Sequence, residues 1–91
     1  MQEREKYIAK RSALFWSVGD LSKVSDILLV ETILNYGSWE DVKELIQLLS
    51  ISQTAKLFRD TTEGRVRDNY FPEVKNFFTL YFTRHAQQFT S

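Results

Sequence analysis

No cysteine occurs anywhere in the sequence. That excludes a disulfide framework, a thiolate nucleophile and any cysteine-based metal site. Glycine appears only at positions 19, 37 and 64. None of these forms a G-x-G-x-x-G or Walker-type loop, so nucleotide binding has no sequence support. The one histidine, His85, has no nucleophile or carboxylate set beside it. It reads as a packed or rim residue near a helix end, and the scattered carboxylates show no metal-ligand spacing. Charge of one sign is also lacking, because 12 basic residues balance 12 acidic ones. The broad basic field of a typical nucleic-acid binder is therefore missing. No apolar run approaches the roughly 20 residues of a membrane span. The first residues, "MQEREKYIAKRS", are charged and carry no leader-like apolar core. The expectation is a cytoplasmic protein that is not an enzyme and holds no cofactor or metal.

What the chain does have is aromatic bulk. Seven Phe, four Tyr and two Trp sit in 91 residues, and 43% of the chain is hydrophobic. This length fits one domain with a modest stability reserve, and large rings help a short chain to build a core. The charge is unevenly distributed. In residues 21–50, Lys23 and Lys43 face Asp26, Glu31, Glu40, Asp41 and Glu44, a net of −3. Residues 51–91 carry six basic and four acidic side chains, a net of +2. Such an asymmetry can orient a partner.

The periodicity predicts an all-α fold, a small single-domain bundle of four to five helices over residues 1–91. About five residues at the start and four at the end are expected to fray. A first helix over 2–11 brings Tyr7, Ile8, Arg11, Leu14 and Phe15 near one face. Residues 13–26 form a break around Gly19, with Phe15 and Trp16 plugging the core. Ser25 or Asp26 caps a buried helix reaching Asn35 or Tyr36. A buried strand is the alternative there, since Ile and Val favour strands. Gly37 is expected to end this helix in the left-handed conformation.

Ser38 then starts the clearest amphipathic helix, with Asp41 in a near-relative of the capping box. Val42, Leu45, Ile46 and Leu49 follow at i, i+3, i+4 and i+7, while Lys43, Glu44 and Gln47 face away. After "SIS" at 50–52, Ser52 is expected to cap a short helix to about Asp60, with Ala55 and Phe58 inward. Residues 61–70 read as a loop, with one turn of helix as the alternative. Pro72 fits the first turn of a last helix. Phe71, Val74, Phe78, Tyr81, Phe82, His85 and Phe89 form its inner stripe, with Phe77 at the edge and Leu80 pointing elsewhere.

Two functional readings survive. A domain this small has more large side chains than interior, so some must remain outside, and an exposed apolar patch usually marks a partner site. The candidate protein-interaction residues are Trp16, Trp39, Phe77, Leu80 and Phe89, although core packing is the plainer reading of both tryptophans. The alternative is a DNA-binding helix-turn-helix over residues 41–60. Gln53, Thr54, Lys56 and Arg59 would point outward from its second helix, with Arg65 and Arg67 as further cations. Three features depart from that pattern. Ser50 replaces the usual turn glycine, bulky Ile46 stands where a small residue is expected, and Lys56 takes a position that normally packs inward. Self-association is a third reading.

The segments "LFW", "ILLVETILNYGSWEDVKELIQLL" and "VKNFFTLYF" together resemble a family of short, uncharacterised bacterial helical proteins. The shared features here are Phe15-Trp16, the Tyr36-Gly37 break followed by Glu40-Asp41, and Asn76-Phe77-Phe78. The resemblance spans about residues 14–82. Ser17 stands where members usually have Asp, and "NYFPE" replaces a Ser- or Thr-rich start to the last helix. Members are often encoded beside nucleotidyltransferase-like toxins of the abortive-infection type. The resemblance implies a small cytoplasmic partner of such a toxin, antitoxin-like, and carries over no catalytic residue.

Overall fold

The computed structural model describes residues 3–15, 18–62 and 70–85. Among them are five α-helices and no strand: α1 (Glu3–Lys10), α2 (Asp26–Tyr36), α3 (Trp39–Leu49), α4 (Ile51–Thr62) and α5 (Pro72–His85). The fold class is therefore all-α, as the periodicity predicts, and the strand alternative for the Ile27–Leu34 segment does not hold.

α1 stops at Lys10, earlier than a stripe running on to Phe15 requires. The chain instead tightens into a 3-10 turn, Ser12–Phe15, which still buries Phe15. The first turn of α1 is tied down by charge. Arg4 donates to Asp26 of α2 at 2.9 Å and also to the Val24 carbonyl. A second 3-10 turn, Leu21–Lys23, leads to Ser25, whose hydroxyl accepts from the Leu28 N–H and starts α2. Trp16 lies outside the described residues.

α2 is the central helix. Leu29, Val30, Ile33 and Leu34 are all buried, because α1's 3-10 continuation, α3 and α4 pack around it. Leu45 of α3, Phe58 of α4 and Phe82 of α5 complete the innermost layer. Phe58 joins the two halves of the core. Its ring lies 5.0 Å from that of Tyr70 and 5.5 Å from that of Phe82.

Two corners differ from expectation. Gly37 ends α2 by donating its N–H to the Ile33 carbonyl, but with φ −77° it is extended, not left-handed. Its requirement is space. A Cβ at Gly37 would stand 2.8 Å from the Ile33 carbonyl oxygen and 3.1 Å from the Asp41 Cβ. The positive φ falls on Ser50 instead, at φ 75° and ψ 155°, a region that side chains strain to occupy. Ser50 is held there by three bonds. Its hydroxyl accepts from the Gln53 N–H at 3.2 Å. Its carbonyl accepts from the Thr54 N–H at 3.1 Å and the Thr54 hydroxyl at 2.7 Å. Ser50 thus does the capping expected of Ser52, which lies inside α4. That helix continues to Thr62; there Thr61 and Thr62 turn their hydroxyls back onto carbonyls one turn earlier, and Thr61 is buried.

Candidate interaction surface

α5 buries one face and leaves the other open. Phe78 and Phe82 enter the core, and Val74 and Tyr81 lean against it. Phe77 and Leu80 project outward and are 51% and 64% exposed. The start of α3 supplies a third apolar side chain. Trp39 follows the N-cap Ser38, so it sits at the corner of the fold and is 45% exposed. Its indole meets the Phe77 ring edge-on at 6.2 Å and the Tyr81 ring edge-on at 5.5 Å. Phe77 and Tyr81 stack nearly parallel at 6.2 Å, and Tyr81 touches His85 at 4.6 Å. Phe77, Leu80, Tyr81, Thr83, Arg84 and His85 line a shallow depression on this face.

A second ring pair extends the seam between α5 and the α2–α3 corner. Tyr36 and Phe71 meet edge-on at 5.4 Å, and both are largely exposed. The Asn35 side-chain carbonyl accepts from the Phe71 N–H at 3.1 Å and fixes the entry to α5. Phe71 therefore does not join the inner stripe. It precedes Pro72, where the helix begins, so helical spacing does not set its direction. His85 is likewise exposed. Sequence spacing places Tyr81 on the inner stripe, and the structure finds it half-buried, contributing a ring edge to the outer cluster.

The protein-interaction candidates thus divide. Trp39, Phe77 and Leu80 come together on one face, whereas Trp16 and Phe89 lie outside the described residues. The plainer core reading of Trp39 is corrected by its exposure. A helix's first residue has no preceding turn to cover it, and the Phe77 and Tyr81 rings of α5 meet the indole only edge-on.

The residues of the DNA alternative come together less well. Gln53 and Lys56 are exposed on α4, and Lys56 pairs with Asp60 at 3.0 Å. Thr54 is fully buried and spends its hydroxyl on Ser50, which corrects its outward assignment. Arg59 is half-buried. Arg65 and Arg67 lie outside the described residues.

A polar cluster joins α1 to α3. The Arg11 guanidinium donates to Asp41 at 2.8 Å, to Glu44 and to the Tyr7 carbonyl at 3.1 Å, and lies 3.8 Å above the Tyr7 ring. The Tyr7 hydroxyl donates to the Asp41 carbonyl at 2.6 Å. Burial pushes the Tyr7 phenol well above its ordinary range, so it stays a donor. Asp41 also accepts from the Ser38 N–H at 2.9 Å while the Ser38 hydroxyl accepts from the Asp41 N–H at 3.1 Å, which closes the capping box. The Ser38 bond is the largest cause holding the Asp41 carboxyl below its usual range, with Arg11 adding to it against partial burial. The polar groups of this cluster are spent on one another, as in a brace. Among the described residues, no group of three or more His, Asp or Glu is placed to hold a metal ion, and no helix is long and apolar enough to cross a membrane.

The chain matches no protein-family model, no curated protein and no solved structure.

Proposed function

We propose that the protein acts by binding another protein through the Trp39–Phe77–Leu80–Tyr81 face, as a cytoplasmic module that performs no covalent chemistry. The carrying observation is the exposure of three large apolar side chains in one contiguous ring cluster. A folded monomer gains nothing from keeping them in water, whereas a partner gains their burial. Trp and Tyr are also the residues that most often anchor interfaces. The mechanism is occlusion, with the apolar face covering the partner's working surface. The acidic middle and basic C-terminal half supply orientation. The resemblance to toxin-adjacent bacterial proteins supplies the partner class, a nucleotidyltransferase-like toxin, for which this chain would be an antitoxin.

The test is a photo-reactive side chain placed at Leu80 in the native host, with the same probe at exposed Lys6 of α1 as control. The expected result is one discrete adduct with a different protein at position 80 and none at position 6. Equal labelling at the two positions would refute the reading.

One observation favours the DNA reading. Ser50 takes a positive φ at the position where a helix-turn-helix usually has its turn glycine. A reader built on α4 would bind duplex with steep salt dependence through Lys56, Arg59, Arg65 and Arg67. Indifference to duplex at low salt removes it.

A further inference from the structure

The outer face of α5 carries a pattern that its apolar centre alone does not explain. Glu73, Phe77, Leu80 and Arg84 are spaced four, three and four residues apart, so they form one straight stripe along the helix. All four are exposed. The two apolar residues lie in the middle, with an acid at one end and a base at the other. Neither Glu73 nor Arg84 has an ion-pair partner among the described residues. The midpoint between Glu73 and Arg84 is also the midpoint between Phe77 and Leu80. Rotated by a half-turn about that midpoint, the stripe falls on its own complement. Glu73 then meets Arg84 of the other copy at both ends, and Phe77 meets Leu80 twice in between.

Self-complementarity of this kind is what a two-fold interface requires. We infer that the occupant of this face is a second copy of the chain, docked with the two α5 helices antiparallel. The inference rests on reading the face as a working surface, and it names the partner that fits that face without any other protein present. The flanking groups agree with it. The hydroxyl of Thr83, beside the stripe, is turned back onto the Thr79 carbonyl at 2.6 Å, so covering it strands no donor. Trp39 and Tyr81 flank the stripe with further ring surface.

The interface is small. α5 spans about 21 Å, so one face buries less than the roughly 800 Å² per partner of a standard interface. The dimer is expected to be micromolar or weaker and to exchange readily, leaving the face open to a tighter-binding protein.

Sedimentation equilibrium of the purified chain, up to near-millimolar concentration, is the test. The wild type should approach the mass of two chains, and Leu80→Asp should remain a monomer. Glu73→Arg alone and Arg84→Glu alone should each weaken association about tenfold at low salt, since each sets like charges opposite at both ends. A 1:1 mixture of those two variants should recover association, because every end pair is then opposite in sign. All the substituted side chains are exposed, and circular dichroism checks that each variant keeps its helices. A monomeric wild type, or a mixture no stronger than its two components, overturns the antiparallel dimer. Neither result bears on capture of a different protein at position 80, so the two readings fail separately.

Discussion

The brace between α1 and α3 and the outer face of α5 are opposite solutions to the same problem of surface. At the brace, charged groups that favour water are drawn inward, and Arg11 is nearly covered by Tyr7, Asp41 and Glu44. On α5, rings that avoid water are left in it. The first arrangement satisfies its own bonds and needs no other molecule. The second is incomplete until something covers it. Internal satisfaction therefore separates a region that stabilises the fold from a region available for binding, even though both contain the residue types often seen at functional sites.

The largest expected effect tests where the core ends. Phe58→Ala should cost about 3–5 kcal/mol in urea denaturation, because its ring is fully buried and joins Tyr70 to Phe82. A loss under about 1 kcal/mol would mean that the apolar core is not centred there. Next is the brace. Arg11→Met should cost about 2 kcal/mol, chiefly through Asp41, since Glu44 is half exposed and its pair adds little. An unchanged midpoint would show that the cluster is ornamental to folding.

Ser50→Gly should stabilise the protein by about 1 kcal/mol, because relief of the positive φ exceeds the small loss of its cap. Ser50→Ala should destabilise, since it keeps the strain and loses the hydroxyl. The smallest effect concerns acid. The Asp41 pKa is depressed in the folded state, so its stabilisation is complete above the ordinary carboxylate range and disappears as pH falls through the depressed value. The stability gap between wild type and Asp41→Asn, measured by urea denaturation at stepped pH, should close below that range. A gap independent of pH would remove the brace's electrostatic part.

Much of the fold was legible because helix periodicity and caps are local. Ser25, Ser38 and Pro72 mark helix starts where the structure has them, and Val42 and Leu45 face inward as their spacing requires. The two corners were not legible. Glycine usually signals a left-handed residue, yet Gly37 answers to the closeness of Ile33 and Asp41, which only the packed α2–α3 corner reveals. The strained position went to Ser50, whose hydroxyl anchors the next helix. The site was legible in part. Phe77 and Leu80 fall off the inner stripe by angle alone, but whether Trp39 is covered depends on how α5 crosses α3. The brace leaves no trace in local sequence, since its partners lie some 30 or more residues apart and no local pattern joins them.

Folding does not need the outer face of α5. The most direct test is the unfolding free energy of Phe77→Ser/Leu80→Ser, measured where the chain is monomeric. The expected loss is no more than about 1 kcal/mol, as for exposed positions with a few ring contacts. A loss of about 3–5 kcal/mol, the size of a core truncation, would contradict it.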